Sequence, residues 1–124
     1  VLVLAFCHMC GGDYRKAAAP AAAIEMIHTF SLIHDDLPCM DNDDFRRGKP
    51  SCHKKFGEAC AVLAGDALAI RPFQVIAESE LNDSMKIKLI AELACSSGAE
   101  GMIGGQIIDM ENEQRSTVNE KIFV

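Results

Sequence analysis

A chain of 124 residues is the length of one domain or of part of one, since domains cluster at about 100–150 residues. The formal net charge of −6 argues against nucleic acid as a partner, because binding a polyanion rests on an excess of Lys and Arg. With 49% hydrophobic residues there is material for a substantial core, yet no apolar run approaches the roughly 20 residues that cross a bilayer. Six cysteines (Cys7, Cys10, Cys39, Cys52, Cys60 and Cys95) are spread along an aliphatic chain. They read as free thiols, not as the disulfide framework of a small secreted protein. Cys7 and Cys10 have zinc-site spacing, but no second Cys pair or His pair completes the four ligands.

Taken in order, residues 1–10 predict the end of a buried helix closed by Gly11-Gly12. Asp13–Lys16 is a short polar connection. Ala17–Asp36 is the strongest helical pattern: alanine-rich, without an interior glycine, and with Ile24, Ile27 and Leu32 for apolar contact. Pro20 is tolerated only in a first turn, which puts the start near Ala18.

The next stretch, Asp35-Asp36-Leu37-Pro38-Cys39-Met40-Asp41-Asn42-Asp43-Asp44, sets five carboxylates within ten residues, with Arg46, Arg47 and Lys49 close behind. Hard oxygen ligands suit Mg²⁺, which prefers one or two carboxylates plus substrate phosphates. Arginine is the side chain shaped to grip phosphate oxygens in a fork. Asp35 and Asp41 are six apart, so on one regular helix they would diverge by about 120°. Pro38 disfavours helical geometry at Leu37, which lets the chain curl back and bring Asp41 round. A solvated acidic surface is the alternative from charge alone. A calcium-binding loop is not, because Arg46 stands where that loop demands glycine.

The run Glu25-Met26-Ile27-His28-Thr29-Phe30-Ser31-Leu32-Ile33-His34-Asp35-Asp36-Leu37-Pro38, continued by Arg46-Arg47-Gly48-Lys49-Pro50, resembles the first aspartate-rich motif of the trans-isoprenyl diphosphate synthases (polyprenyl synthetases). The form with Pro-Cys-Met-Asp-Asn inside it is most similar to the plant geranylgeranyl diphosphate synthases. His53-Lys54-Lys55-Phe56-Gly57-Glu58, Leu63-Ala64-Gly65-Asp66-Ala67-Leu68 and Gly101-Met102-Ile103-Gly104-Gly105-Gln106 continue the match over roughly residues 1–110.

The resemblance implies an all-α helical bundle of the isoprenoid synthase type, of which residues 1–124 are an internal part. The N-terminal portion, with a Gly-Lys-x-x-Arg motif, and the C-terminal half, with the second aspartate-rich motif, are outside these residues. It implies Mg²⁺ as cofactor, held by Asp35, Asp36 and Asp41. It implies an allylic diphosphate (dimethylallyl, geranyl or farnesyl) contacted by Arg46, and isopentenyl diphosphate contacted by His28 and Arg47. Asp35, Asp41 and Arg46 would be the catalytic set.

Phe30 and Ser31 match the floor of the tunnel that limits product length. Geranylgeranyl diphosphate is the implied product, and the aromatic Phe30 keeps farnesyl or geranyl diphosphate open. His34 is expected to pack or to support Asp35. The partners implied are a second copy or a related subunit, and the location a plastid, with the cytoplasm as the alternative. A different class of function, a non-catalytic subunit that pairs with an active synthase, is favoured by Val3 where the plant family carries a cysteine and by Arg71-Pro72. The intact first motif favours the enzyme.

Phe56–Ile76 matches the next long helix, with Val62, Leu63, Ala67 and Leu68 apolar and Asp66 as a structural partner for a neighbouring polar group. Pro72 predicts a kink or a defect there, at about 3 kcal/mol for a mid-helix proline. Asn82-Asp83-Ser84 offers caps for a helix over Met85–Cys95. Ser96-Ser97-Gly98 interrupts, another helix follows from Ala99, and the polar chain from Glu111 matches an interhelical loop. Without the second motif, these 124 residues alone are expected to show no synthase activity.

Overall fold

The computed structural model describes the backbone of residues 1–122 and the side chains of residues 1–112. It is all-α apart from one small hairpin. The elements are α1 (Leu2–Met9), a 3₁₀ turn (Tyr14–Ala17), α2 (Ala18–Asp35), β1 (Phe45–Arg46), β2 (Lys49–Pro50), α3 (Cys52–Phe56), α4 (Glu58–Ala77), α5 (Asp83–Ser97) and α6 (Met102–Ile122). The chain divides into two compact units, Val1–Leu89 and Ile90 onward.

In the first unit the packing centres on α2 against α4. Ala23 and Ala61 are fully buried, with Ile27, Gly65, Pro72 and Ile76 beside them in the interior. Small residues at the crossing let two helix backbones approach closely. Pro20 lies in the first turn of α2, where its missing N–H is one that the helix would leave unpaired anyway.

Three expectations are corrected. Helix α1 forms and ends before Gly11, but it has no buried residue: Phe6 is 61% and Met9 77% exposed. Helix α4 runs through Pro72 without interruption. The ring is buried, so its packing offsets the lost hydrogen bond at that turn. Helix α4, 20 residues long with an 18-residue stretch of mean hydropathy 1.4 that holds Asp66 and Arg71, is also long and apolar enough to cross a membrane.

The second unit holds the last turns of α5, a turn closed by the Gly101 N–H donating to the Gly98 carbonyl at 3.0 Å, and α6. The polar stretch from Glu111 is part of α6, which continues to Ile122. Nothing in the sequence after Gly105 breaks a helix, and Glu, Gln, Arg and Lys all favour one.

Ala61 has no exposed surface and sits where α4 meets α2. Ala61→Leu should therefore overpack the crossing and cost about 1–3 kcal/mol, read as a lower denaturant midpoint with an unchanged slope. A stability equal to wild type would show that the two helices are not in close contact.

Candidate functional site

The site grows from the C-terminal end of α2. The helix stops at Asp35, and the backbone then folds back on itself. The Leu37 N–H donates to the His34 carbonyl at 3.1 Å, and the Met40 and Asn42 N–H groups both reach the Leu37 carbonyl, at 2.9 and 3.1 Å. Asn42 takes the left-handed conformation at φ 54°. The turn returns Asp41 to the helix end, where its N–H donates to the Asp35 carbonyl at 2.9 Å.

The two residues six apart are thereby brought together, and their charges interact. Burial pushes the Asp35 carboxyl above its ordinary value, the Asp41 carboxylate pushes it further the same way, and Arg46 acts against both. A buried carboxylate beside a second one suits a cation.

Asp36 does something else. Its side chain is 4% exposed and turns onto Arg46, whose Nε donates to Oδ1 and Oδ2 at 2.9 and 3.0 Å and whose Nη2 donates to Oδ1 at 2.7 Å. The fork geometry satisfies the buried carboxylate, and the hydrogen bonds hold the Arg46 guanidinium still more firmly protonated.

Arg46 belongs to a short antiparallel hairpin. Phe45 pairs with Pro50 and Arg46 with Lys49. The two connecting residues, Arg47 and Gly48, have φ of 52° and 76°. Positive φ at both central positions is the pattern of a type I′ turn, whose twist matches the strands it joins. Glycine adopts it freely; Arg47 is held there at a cost of order 1 kcal/mol and stands exposed at the tip. The base of the hairpin is tied down by the Ser51 N–H to the Asp44 carbonyl at 3.0 Å and by an ion pair between Lys54 Nζ and Asp44 Oδ1 at 2.8 Å.

His28 lies two turns before Asp35 on α2, about 10 Å along the axis, and is exposed. Ser31 donates its hydroxyl to the His28 carbonyl at 3.0 Å. Phe30 is half-buried and meets the edge of His34. Among the described residues no group of three or more His, Cys, Asp or Glu side chains closes on a common point. The carboxylates near the end of α2 thus divide: Asp35 and Asp41 lie together at the turn, while Asp36 is occupied by Arg46.

Sequence reasoning missed the Asp36–Arg46 pair, because nothing in a spacing of ten assigns one carboxylate to one arginine. It missed the hairpin because strands of two residues leave no alternation to read. The Arg47-Gly48 dipeptide was the available signal.

Since the folded state raises the Asp35 proton affinity, the ionised group weakens folding at neutral pH. The stability that goes with its protonation is complete below its ordinary value of 3.8 and is lost as pH rises through the raised folded value. Asp35→Asn should therefore raise the Tm at pH 7 without added metal, and the gain should vanish at a pH well below 3.8. A gain that persists unchanged in acid would assign it to something other than this charge.

The polyprenyl synthetase family model matches residues 1–123. The chain is 48% identical to the farnesyl diphosphate synthase of Bacillus subtilis over 98% of its own length and 42% of that protein. It is 50% identical to the chloroplastic heterodimeric geranylgeranyl pyrophosphate synthase large subunit 1 of Arabidopsis thaliana, over 91% of this chain and 32% of that one. The fold superposes on an apo FPP/GFPP synthase from Zymomonas mobilis with a TM-score of 0.87 at 50% identity, covering 90% of this chain and 41% of that structure. The chain thus spans from about a third to about two fifths of the length of these relatives. With the family model matched over nearly its whole length, the chain belongs to the polyprenyl synthetase family.

Proposed function

We propose that these residues form the first half of the active centre of a Mg²⁺-dependent trans-prenyltransferase, which joins isopentenyl diphosphate to an allylic diphosphate. The observation that carries this reading is the return of Asp41 to Asp35 beside an arginine-bearing hairpin. A pair of carboxylates at a helix end fits Mg²⁺, which takes one or two carboxylates and completes its shell with water and phosphate oxygens. Once bound there, the ion would supply Lewis-acid stabilisation of a departing diphosphate.

The chain's own groups do the rest. Arg46, fixed by Asp36, presents its remaining N–H groups toward the allylic diphosphate and stabilises charge as it leaves. Arg47 at the hairpin tip and His28 two turns along α2 hold isopentenyl diphosphate. Its alkene attacks the allylic cation, and loss of a proton restores a double bond. Aliphatic side chains exclude water from the cation. In this reading Asp36 serves as the anchor of Arg46, and Asp35 with Asp41 binds the metal. The strained φ of Arg47 supports a role for its charge at that tip, since glycine or asparagine would hold the turn at less cost.

The product we propose is geranylgeranyl diphosphate, with farnesyl or geranyl diphosphate as the shorter alternatives that Phe30 favours from the floor of the hydrocarbon site with Ser31. Names of relatives support both lengths: farnesyl in Bacillus subtilis and Escherichia coli, geranylgeranyl in Arabidopsis thaliana and Capsicum annuum. A plastid location belongs to the same proposal, supported by the chloroplastic plant relatives, as does assembly with a second copy or a related subunit. The competing reading, a non-catalytic subunit, loses one of its two supports because α4 runs unbroken through Pro72.

The test is turnover of isopentenyl diphosphate with dimethylallyl diphosphate and Mg²⁺ by the natural full-length protein. Prenyl diphosphate should form, and Asp35→Asn or Asp41→Asn should lower kcat by about a hundredfold or more. The 124-residue chain alone should give none. Undiminished turnover in both variants would remove these carboxylates from the mechanism.

A further inference from the structure

His34 stands next to Asp35 but faces elsewhere. Its Nε2 is 3.1 Å from the carbonyl oxygen of Val62 on α4. A carbonyl only accepts, so Nε2 carries the hydrogen, and the ring is tethered across the helix crossing. Asp66 Oδ1 lies 3.9 Å from the same nitrogen.

The imidazole fills the space over Gly65. A Cβ added there would collide with its Nε2, Cδ2 and Cε1 atoms, so only glycine at that position leaves room for the ring. One turn back on α2, Phe30 packs edge-to-face on the imidazole, with ring centroids 5.2 Å apart and planes at 83°. Residues four apart on a helix are neighbours, and the T-shaped arrangement is one of the two that aromatic rings prefer.

The contacts form a chain: the α4 backbone fixes His34, and His34 fixes the ring of Phe30. We propose that His34 is a positioning residue for product length, holding Phe30 in the rotamer that closes the floor of the hydrocarbon site, with Gly65 as the gap that admits it. The proposal rests on the prenyltransferase reading, in which Phe30 meets the end of the growing chain. It adds a residue that touches neither diphosphate nor hydrocarbon and acts through the orientation of one ring. Phe30 alone is half-buried, and a phenyl ring on an open helix face samples several rotamers. A floor that moves would not set a length.

The natural full-length protein is supplied with isopentenyl and dimethylallyl diphosphates, and the ratio of longer to shorter products is measured. His34→Ala should raise that ratio about fivefold, the factor that matches an aromatic pair of about 1 kcal/mol. Gly65→Ala, which displaces the imidazole while leaving it present, should move the ratio the same way.

Two conservative variants separate positioning from simple structural support. His34→Phe keeps a ring against Phe30 but loses the donor for Val62 and should shift the ratio less than His34→Ala, whereas His34→Gln keeps the donor but no ring and should shift it as much. In a Phe30→Ala background, His34→Ala should change the ratio no further. Product of unchanged length in His34→Ala, or an equal shift in the Phe30→Ala background, would overturn the positioning role and leave the prenyltransferase reading standing. No prenyl product from the wild-type protein would remove that reading, and the inference with it.

Discussion

The ion pair between the buried Asp36 and the half-buried Arg46 is what the rest of the site depends on. The Asp36 carboxylate has almost no contact with water, and removing a charge from water is costly unless a partner meets it with good geometry. Arg46 does so through three hydrogen bonds of 2.7–3.0 Å. The contact joins the last residue before the turn to a strand ten residues on. It thereby fastens the hairpin to the end of α2. Without it, the hairpin would be held only by its two-residue ladder and by the Asp44 contacts at its base, and an isolated hairpin is marginal in water.

From that anchor follows a division of labour that a list of acidic residues conceals. Asp36 is committed to Arg46. Asp35 and Asp41, brought together by the turn at Pro38, keep their mutual repulsion and with it their capacity for a cation. Arg46 is held close behind them, and Arg47 is projected outward by a turn that forces it into the left-handed region. Beneath this layer, the α2–α4 crossing is built from alanine, glycine and proline, and the closeness it permits lets His34 reach a carbonyl on the neighbouring helix. The packing of small residues and the placement of polar ones are thus parts of one arrangement.

Much of this was legible before any coordinates. Helix α2 was read to within a residue of Ala18–Asp35 because alanine propensity, a first-turn Pro20 and a breaking Pro38 all point the same way. The return of Asp41 followed from the same proline. Membership of the polyprenyl synthetase family was legible from the ordered motifs through Gly101-Met102-Ile103-Gly104-Gly105-Gln106. What was not legible is what depends on contacts across the chain. The Asp36–Arg46 and His34–Val62 pairs are tertiary, with separations of 10 and 28 residues and no periodicity to betray them. Pro72 misled because its cost is local and its compensation, burial of the ring, is not. The polar stretch after Glu111 misled because polarity alone does not distinguish a loop from a solvated helix.

A double-mutant cycle on the natural full-length protein tests the role of the ion pair: Asp36→Ala, Arg46→Ala and the double variant, each unfolded in denaturant. Arg46→Ala should cost about 3 kcal/mol, because it leaves the buried Asp36 carboxylate uncompensated, and Asp36→Ala should cost less, because the Arg46 side chain is a third exposed. The double variant should then cost no more than Arg46→Ala alone, giving a coupling of roughly 1 kcal/mol or more. A coupling below about 0.5 kcal/mol, as for an exposed pair, would contradict the view that this contact holds the hairpin and the site together.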